Sequence, residues 1–339
     1  MIKLSICIPT YNFGQFIGQT IDSICSQIVP NVEVIILDGG STDDTSCVVE
    51  NKKKSYPFLK YYKQEFRGGI DKDIEKLVNF AGGDYCWLFS ADDIMLPNLI
   101  QSVLSEISSG YDIYLCTHDL CTNEMDFIKE YPVFFNIKGK KVFHFSNDSE
   151  RKNYFKLAMT SEAFFTFLAG PIFKKKIWDD HGVPESFYGT HWIIAGHLLP
   201  TLSHDIVIKY TNKKLLHRRG GNDSFSDGDY IDVYRIFIDS FQHVGNSIFG
   251  EGSYEMFHIL RVLRNDVKFR GLLLAKLAIH NKLSKYAMND LDNLAISLYK
   301  PNKSLNGFLM FFLYKIFSPL SIKILYFLYV HFLKGNKKI

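Results

Sequence analysis

Two adjacent carboxylates, Asp92 and Asp93, stand just beyond the apolar run Tyr85-Cys86-Trp87-Leu88-Phe89, and Pro97 and a helical pattern soon follow. A run of that length and aromatic content predicts a buried strand. Ligands of open α/β sheets bind beyond the carboxyl ends of strands, so two acids there can hold a divalent cation or touch a ligand hydroxyl. The plainer alternative is a solvated Asp-Asp turn capping the next helix. A third acid, Asp38, ends a second apolar run and leads into Gly39-Gly40-Ser41-Thr42. Among basic groups, Lys174-Lys175-Lys176 is either a phosphate-binding patch or a solvated helix start with Trp178 buried. Arg218-Arg219 beside Gly220-Gly221 is either a diphosphate clamp or a basic surface loop.

The elements that must position these groups follow from periodicity. Leu4 to Pro9 predicts a first strand that stops at Pro9-Thr10-Tyr11-Asn12, and Ile17, Ile21, Ile24 and Ile28 recur at near-helical spacing. Val32 to Leu37 is the second strand. Ser41 or Thr42 is expected to cap the helix after it, with acids in its first turn. Leu59 to Gln64 predicts a third strand, and Ile74, Leu77, Val78 and Ala81 the next helix. Ile100, Val103, Leu104 and Ile107 share a helix face, and Asp112 to Cys116 gives a fifth strand. Strands alternating with helices imply βαβ units and a largely parallel, doubly wound sheet. That topology gathers Pro9–Asn12, Asp38–Ser41 and Ser90–Asp93 on one rim.

No G-x-G-x-x-G follows the first strand and no G-x-x-x-x-G-K-[ST] occurs, which disfavours dinucleotide binding and P-loop hydrolysis. A nucleotide remains compatible, with Asp38 accepting from a base N–H, Tyr11 packed on the ring and Asp92 holding a metal at the phosphates. A hard cation on oxygen ligands and diphosphate would be Mg²⁺ or Mn²⁺.

The bulk composition agrees with a folded protein: 339 residues, 47% hydrophobic and 22% charged, enough for one large core or two smaller ones. Net charge +3 is too small to argue for nucleic acid, and none is expected as a partner. The six cysteines include no C-x-x-C pair and are expected to be reduced core residues of a cytosolic protein. Met1 runs straight into the first strand, so no signal peptide is expected. The sequons at Asn147, Asn222 and Asn302 are then chance matches.

Ser5-Ile6-Cys7-Ile8-Pro9-Thr10-Tyr11-Asn12, Ile36-Leu37-Asp38-Gly39-Gly40-Ser41-Thr42-Asp43 and Gly83-Asp84-Tyr85 through Asp93 resemble the three N-terminal signatures of family-2 glycosyltransferases with the GT-A fold. The order and spacing match over roughly the first 120 residues. More narrowly, Gly69-Ile70-Asp71-Lys72-Asp73, Gly83 to Trp87, Asp112 to Cys116 and Arg219-Gly220-Gly221-Asn222-Asp223-Ser224-Phe225 resemble abequosyltransferase-type enzymes of bacterial O-antigen assembly. The resemblance implies that Pro9, Thr10, Tyr11 and Asp38 contact the nucleoside and that Asp71 and Lys72 line the same pocket. Ala91 and Asp92 complete the donor-binding set. Asp92 would ligate the metal, with Asp93 in a secondary or water-mediated role. Two departures stand out: Ser90 where the family's D-x-D begins with an acid, and Gly39 where a second Asp is usual.

Inverting transfer needs a base to take the acceptor hydroxyl's proton as it attacks the anomeric carbon. The family usually supplies an Asp from a Glu-Asp motif in this part of the chain. None stands in Phe187 to Ile194, and the nearest acids are Asp179, Asp180 and Glu185. His191, at the start of an apolar helix, can do the same job near neutral pH, or it is a structural helix-start histidine. With the resemblance, Arg219 is implied in stabilising the leaving nucleoside diphosphate.

From Asp229 onward the pattern is helical. Gly307 to Phe317 and Leu320 to Leu333 are apolar stretches split by Ser318-Pro319, interrupted by Lys315 and Lys323 and followed by a basic tail. Each is shorter than the ~20 residues a spanning helix needs. They are either in-plane helices with snorkelling lysines at an anionic cytoplasmic leaflet or a helical hairpin packed on the domain.

The expected fold is therefore α/β, a GT-A, Rossmann-like, mostly parallel doubly wound sheet with a C-terminal helical membrane-associating region. Residues 1–225 form the GT-A domain, with 1–120 its nucleotide-binding half and 121–225 its acceptor-binding half. Residues 226–339 form the helical region, with docking helices at about 305–334. The expected activity is metal-dependent, inverting transfer of a sugar, dideoxyhexoses included, from a CDP-, UDP-, GDP- or dTDP-linked donor. The acceptor would be a hydroxyl of a lipid-linked O-antigen or other surface-polysaccharide intermediate, and the expected place the cytoplasmic face of the bacterial inner membrane, held peripherally. The rival is a non-catalytic GT-A-like scaffold binding nucleotide or a partner enzyme, kept open by Ser90 and the missing acidic motif.

Overall fold

The computed structural model describes residues 3–222, 229–300 and 305–324. The start of the chain at Met1, the loop residues Asp223–Phe225, the sequon residues Asn302–Ser304, the stretch from Tyr326 to Leu333 and the basic tail lie outside the described residues. The chain divides into two compact units, residues 1–222 with 244–259, and residues 223–243 with 260–339.

The first unit begins with β1 (Leu4–Thr10), α1 (Gly14–Cys25), β2 (Val32–Asp38), α2 (Thr45–Ser55), β3 (Lys60–Lys63), α3 (Ile70–Phe80) and β4 (Tyr85–Leu88). It continues through β5 (Ile94–Met95), α4 (Ile100–Ile107), β6 (Ile113–Cys121), β7 (Phe127–Tyr131), β8 (Lys140–His144) and α5 (Asp148–Leu157). β9 (Pro171–Lys174), α6 (Lys175–Asp180), α7 (Ile193–Leu198) and β10 (Val207–Arg219) complete the sheet-bearing part.

β1, β2 and β4 form because each is an apolar run buried along its whole length. Parallel strands covered on both faces carry continuous apolar sequence instead of alternation. Ile17, Ile21 and Ile24 of α1 pack into the same core as Leu4, Ile6 and Ile8. Each such side chain contributes about 1.5–3 kcal/mol on burial.

The sheet order is β3-β2-β1-β4-β9-β6-β10-β5, with β7 on β6 and β8 on β10. The first four strands are parallel, as expected. β9 corrects the expectation of a largely parallel sheet: it lies antiparallel between β4 and β6. The buried Trp87 indole fixes that junction by donating from Nε1 to the Ala169 carbonyl at 3.0 Å, just before β9. β6 runs to Cys121, beyond the expected Cys116, because β10 pairs with it in parallel from Ile208↔Ile113 to Arg219↔Cys121. Strand order reverses between β1 and β4, so the crevice above their carboxyl ends is the switch point where such sheets bind ligands.

The cap of α2 is a further correction. The helix starts at Thr45 with no acid in its first turn. Ser41 Oγ instead accepts the Asn12 N–H at 2.8 Å, and the Thr42 N–H donates to Asn12 Oδ1 at 2.8 Å. These two residues brace the turn after β1.

The helices α8 (Tyr230–Tyr234), α9 (Phe241–Phe249), α10 (Tyr254–Asp266), α11 (Phe269–His280), α12 (Met288–Tyr299) and α13 (Leu305–Ile316) follow, with Val244–Ile259 belonging to the first unit. In the second unit the buried Lys276 of α11 donates to the Tyr314 carbonyl at 2.9 Å. Tyr314 and Lys315 both bond the Asp292 carboxylate of α12. Lys315, expected to snorkel, is thus a tether between α13 and α12. Among the described residues no helix is long and apolar enough to cross a membrane.

Gly83 precedes β4 where a Cβ would lie 2.8 Å from the Ser5 backbone nitrogen and 3.0 Å from the Leu4 carbonyl carbon. Gly83→Ala should therefore lower the stability of the first unit by about 1–3 kcal/mol in denaturant unfolding, because backbone, not a flexible side-chain end, would have to move.

Candidate active site

At the ends of β1 and β2 the Gly39 N–H donates to the Thr10 carbonyl at 2.8 Å. The Thr10 hydroxyl is buried and has no hydrogen-bond partner among the described residues, a polar atom that a ligand would satisfy. Tyr11 is half-buried and carries the Arg67 guanidinium on its ring at 4.2 Å. Pro9 is buried within the β1–β2 ladder opposite Leu37. Asp38 departs from its expected role. It is 0% exposed, and its carboxylate accepts from the Ser41 N–H at 2.7 Å, Tyr61 Oη at 2.8 Å and Ser46 Oγ at 3.1 Å. Three donors from the protein hold it inside, which gives Asp38 a structural role in the turn after β2.

Asp73 lies beside Gly39, close enough that a Cβ on Gly39 would collide with its carboxylate. Gly39 is thus small because an acid from α3 fills the space. Burial, with the charge of Asp38 adding, pushes the Asp73 carboxyl up, against opposing hydrogen bonding from Gln64 and the charges of Lys76 and Arg67.

After β4, Ala91 is buried in the turn, and Asp92 receives Ser90 Oγ on one carboxylate oxygen and Asn222 Nδ2 at 2.5 Å on the other. Asp93 turns the opposite way. It is 1% exposed, accepts the Arg219 backbone N–H at 2.9 Å, and is pushed well up by burial and the adjacent Asp92 charge. One carboxylate oxygen is thus tied to β10, while Oδ2 is buried with no hydrogen-bond partner among the described residues. Among the described residues no three His, Cys, Asp or Glu side chains converge as a metal cage. The single carboxylate of Asp92, flanked by a hydroxyl and an amide, fits a hard cation that brings its remaining oxygen ligands on the diphosphate.

Arg219 is the main correction. Its guanidinium is 5% exposed and donates through Nε to the Asp92 carbonyl at 3.0 Å, through Nη1 to the Asn123 carbonyl and through Nη2 to Gln19 Oε1 at 2.8 Å. It also stacks over Phe16 at 4.7 Å. These N–H groups already serve the protein, so Arg219 is a buried strut instead of a diphosphate clamp.

His191 sits in the turn before α7 with a left-handed backbone, φ 69°. For a side-chain-bearing residue that conformation costs about 1–3 kcal/mol and persists only where neighbours enforce it. Asp71 enforces it, accepting the N–H groups of Gly189 at 2.7 Å, His191 at 2.9 Å and Ile193 at 3.2 Å. Asp71, expected to line the nucleoside pocket, is thereby spent on this turn, whereas Lys72 is exposed on α3. Burial lowers the His191 imidazole below the ordinary range, with Asp71 raising it and Arg67 lowering it further. Of the competing acids, Asp179 and Asp180 are held in exposed pairs with Lys175 and Lys176, and Glu185 is exposed.

Those pairs also dispose of the phosphate patch. Lys174 pairs with Asp112, and Trp178 is buried against His197 at a ring distance of 3.7 Å. Lys174 stands opposite Tyr85, at the amino end of β4, away from the rim that carries Asp92. Sequence reasoning missed Arg67, which precedes the Gly68-Gly69 turn and has no periodic pattern around it.

Arg219→Ala should lower unfolding stability by roughly 3–5 kcal/mol, the order lost when a buried charge network is broken. Lys176→Ala should leave both nucleotide affinity and melting temperature unchanged. A specific loss of nucleotide affinity at native stability in Arg219→Ala would return it to the diphosphate.

The model of glycosyl transferase family 2 matches residues 5–169. Abequosyltransferase RfbV of Salmonella typhimurium is 29% identical over 228 residues, 66% of this chain and 68% of that protein. A GalNAc(5)-diNAcBac-PP-undecaprenol beta-1,3-glucosyltransferase of Campylobacter jejuni is 27% identical, over 70% of this chain and 72% of that protein. Among solved structures, S. aureus TarS 1–349 in complex with UDP superposes with a TM-score of 0.59 at 17% identity, covering 88% of this chain and 79% of that one. Mannosyltransferase PcManGT of Pyrobaculum calidifontis, in complex with GDP-Man and Mn²⁺, gives a TM-score of 0.50 at 14% identity, covering 95% and 86%. These likenesses show a GT-A-like mixed α/β sheet. With the three strand-end motifs on one rim, the family match over residues 5–169 and the named sugar transferases among its relatives support a family-2 nucleotide-sugar glycosyltransferase.

Proposed function

We propose that this enzyme transfers a sugar, a dideoxyhexose or another hexose, with inversion to a hydroxyl of a lipid-linked O-antigen or other surface-polysaccharide intermediate. One observation carries the reading. Thr10 and Tyr11 stand at the end of β1 and Asp92 in the turn after β4, the two strands that flank the switch point, and Arg67 reaches the Tyr11 ring from the loop between β3 and α3. The nucleoside lies against Tyr11, with Arg67 moving to the phosphates, and Asp92 faces the diphosphate. A Mg²⁺ or Mn²⁺ ion held by Asp92 would supply charge neutralisation at the leaving diphosphate.

His191 acts as base. The acceptor oxygen forms its bond to the anomeric carbon as the bond to the diphosphate oxygen breaks, and the hydroxyl proton passes to the neutral imidazole. Burial favours that neutral form at neutral pH. The rate should therefore fall as pH drops through the lowered His191 ionisation.

The acceptor class rests on the likeness to a glucosyltransferase whose name specifies an undecaprenol-linked glycan. Membrane docking rests on α13. Its outer face leaves Leu305, Phe308, Leu309, Phe312, Leu313 and Ile316 between 43% and 75% exposed, while Gly307 and Tyr314 face inward. A stripe of this kind suits peripheral insertion at the cytoplasmic face of the bacterial inner membrane.

A donor-release assay across CDP-, UDP-, GDP- and dTDP-sugars tests the activity, and turnover separates the enzyme from a scaffold that only binds nucleotide. His191→Ala should lower turnover about 10²–10⁴-fold with donor binding nearly unchanged. Asp92→Asn should abolish transfer and metal-dependent nucleotide binding, and full activity in excess EDTA would remove the metal from the proposal. Phe308→Glu with Phe312→Glu should leave the fold intact and release the protein from vesicles containing anionic lipid. Unchanged co-sedimentation would place docking elsewhere.

A further inference from the structure

Asp71 stands at the start of α3, just after the loop that carries Arg67 onto Tyr11, yet its carboxylate reaches across to a segment 118 to 122 residues later. Three alternate N–H groups, those of Gly189, His191 and Ile193, converge on it, with Gly189 at φ 85° and His191 at φ 69°. Backbone amides gathered by such left-handed turns form an anion-binding concavity, and here the anion is a side chain of the same protein. The residue type is demanded by the donor count. A carboxylate offers acceptors on both oxygens, whereas an amide would point its own N–H₂ at one of the three donors. Asp71 is 3% exposed, so solvent does not compete for these bonds.

We propose that Asp71 is a positioning residue that fixes the 189–193 turn and thereby holds the His191 imidazole where the acceptor hydroxyl loses its proton. The proposal rests on the assignment of His191 as base and deepens it. Asp71 acts in two ways. It enforces a left-handed backbone that sets the direction of the imidazole, and its negative charge favours the imidazolium as the proton arrives. The charged groups acting on the imidazole are Asp71 from α3 and Arg67 from the loop before it, with opposite signs. Because that loop also carries the Tyr11–Arg67 stack, the donor side and the base are joined by a few residues of chain.

The test uses the full-length enzyme and the nucleotide sugar that turns over in the donor panel, with the corresponding nucleoside diphosphate as binding probe. Asp71→Asn should lower kcat about 10²-fold, the scale of a small misplacement of a catalytic group, with nucleoside diphosphate affinity nearly unchanged. The acid limb of its kcat/KM profile should move to lower pH, because burial and Arg67 then act on the imidazole unopposed. Asp71→Glu, which keeps the charge, should recover part of kcat and leave that limb in place. Native kcat in Asp71→Asn would overturn the proposal, as would kcat and affinity falling in step with an unmoved acid limb. If Asp71→Asn does not fold, Asp71→Glu decides: a partial kcat with the limb in place supports the role, and parallel loss of kcat and affinity overturns it. His191→Ala, measured alongside, separates the two levels. Normal turnover there overturns the base assignment and the positioning role together, whereas an inactive His191→Ala beside a normal Asp71→Asn overturns Asp71 alone.

Discussion

A guanidinium removed from water needs acceptors for its N–H groups, and Arg219 finds them in three separate segments: the turn after β4, the turn after β6 and helix α1. Hydrogen bonds to a charged donor are worth about 1.5–3 kcal/mol each, and the carbonyls would be left buried without it. The Arg219 backbone adds a bond to Asp93, so one residue pins both members of the Asp92–Asp93 pair from behind. That constraint turns Asp92 toward Ser90 and Asn222 while Asp93 goes into the interior. Adjacent acids in one turn thereby acquire different surroundings and different chemistry.

The same residue shows where sequence reasoning stops. β1, β2 and β4 were legible because largely apolar runs end at Pro9, Asp38 and Ser90 to Asp93, and the rim they build follows from alternation with helices. A basic pair beside Gly220-Gly221 carries no mark that distinguishes a strut from a clamp, because the difference lies in Gln19, Phe16 and Asn123, far away in the chain. β9 was hidden for a related reason. Four residues antiparallel between two others are set by Trp87 and Ala169, not by any local period. For Lys174 to Lys176 the reading as a helix start with Trp178 buried holds, since their partners Asp112, Asp179 and Asp180 neutralise what the run alone presents as a patch.

The left-handed residue at His191 was equally unreadable. Its φ is enforced by a carboxylate more than a hundred positions earlier, and nothing in the local sequence Tyr188-Gly189-Thr190-His191 requires it beyond the glycine. What could be inferred was only chemical: a titratable ring in a segment otherwise lacking a base. Gly39 is a similar case seen from the donor side. The missing acid there is offset in space by Asp73, so a residue count along the motif gives a poorer account of the pocket's charge than the fold does.

Ser90 bears on how a cation would enter. An acid at that position would place a second carboxylate beside Asp92 and raise the affinity of the rim for a divalent ion before any donor arrives. A hydroxyl instead donates to Asp92, and Asn222 donates from the other side, so the carboxylate is satisfied by neutral partners. An ion competing with those donors gains one protein carboxylate, too few ligands for Mg²⁺ unless diphosphate oxygens and water fill the rest of its shell. On the proposed reading with a metal at Asp92, metal affinity would be linked to donor affinity, each ligand strengthening the other by the same factor. A serine at this position, by weakening the motif as a free metal site, would thus favour loading of such an ion together with the nucleotide sugar.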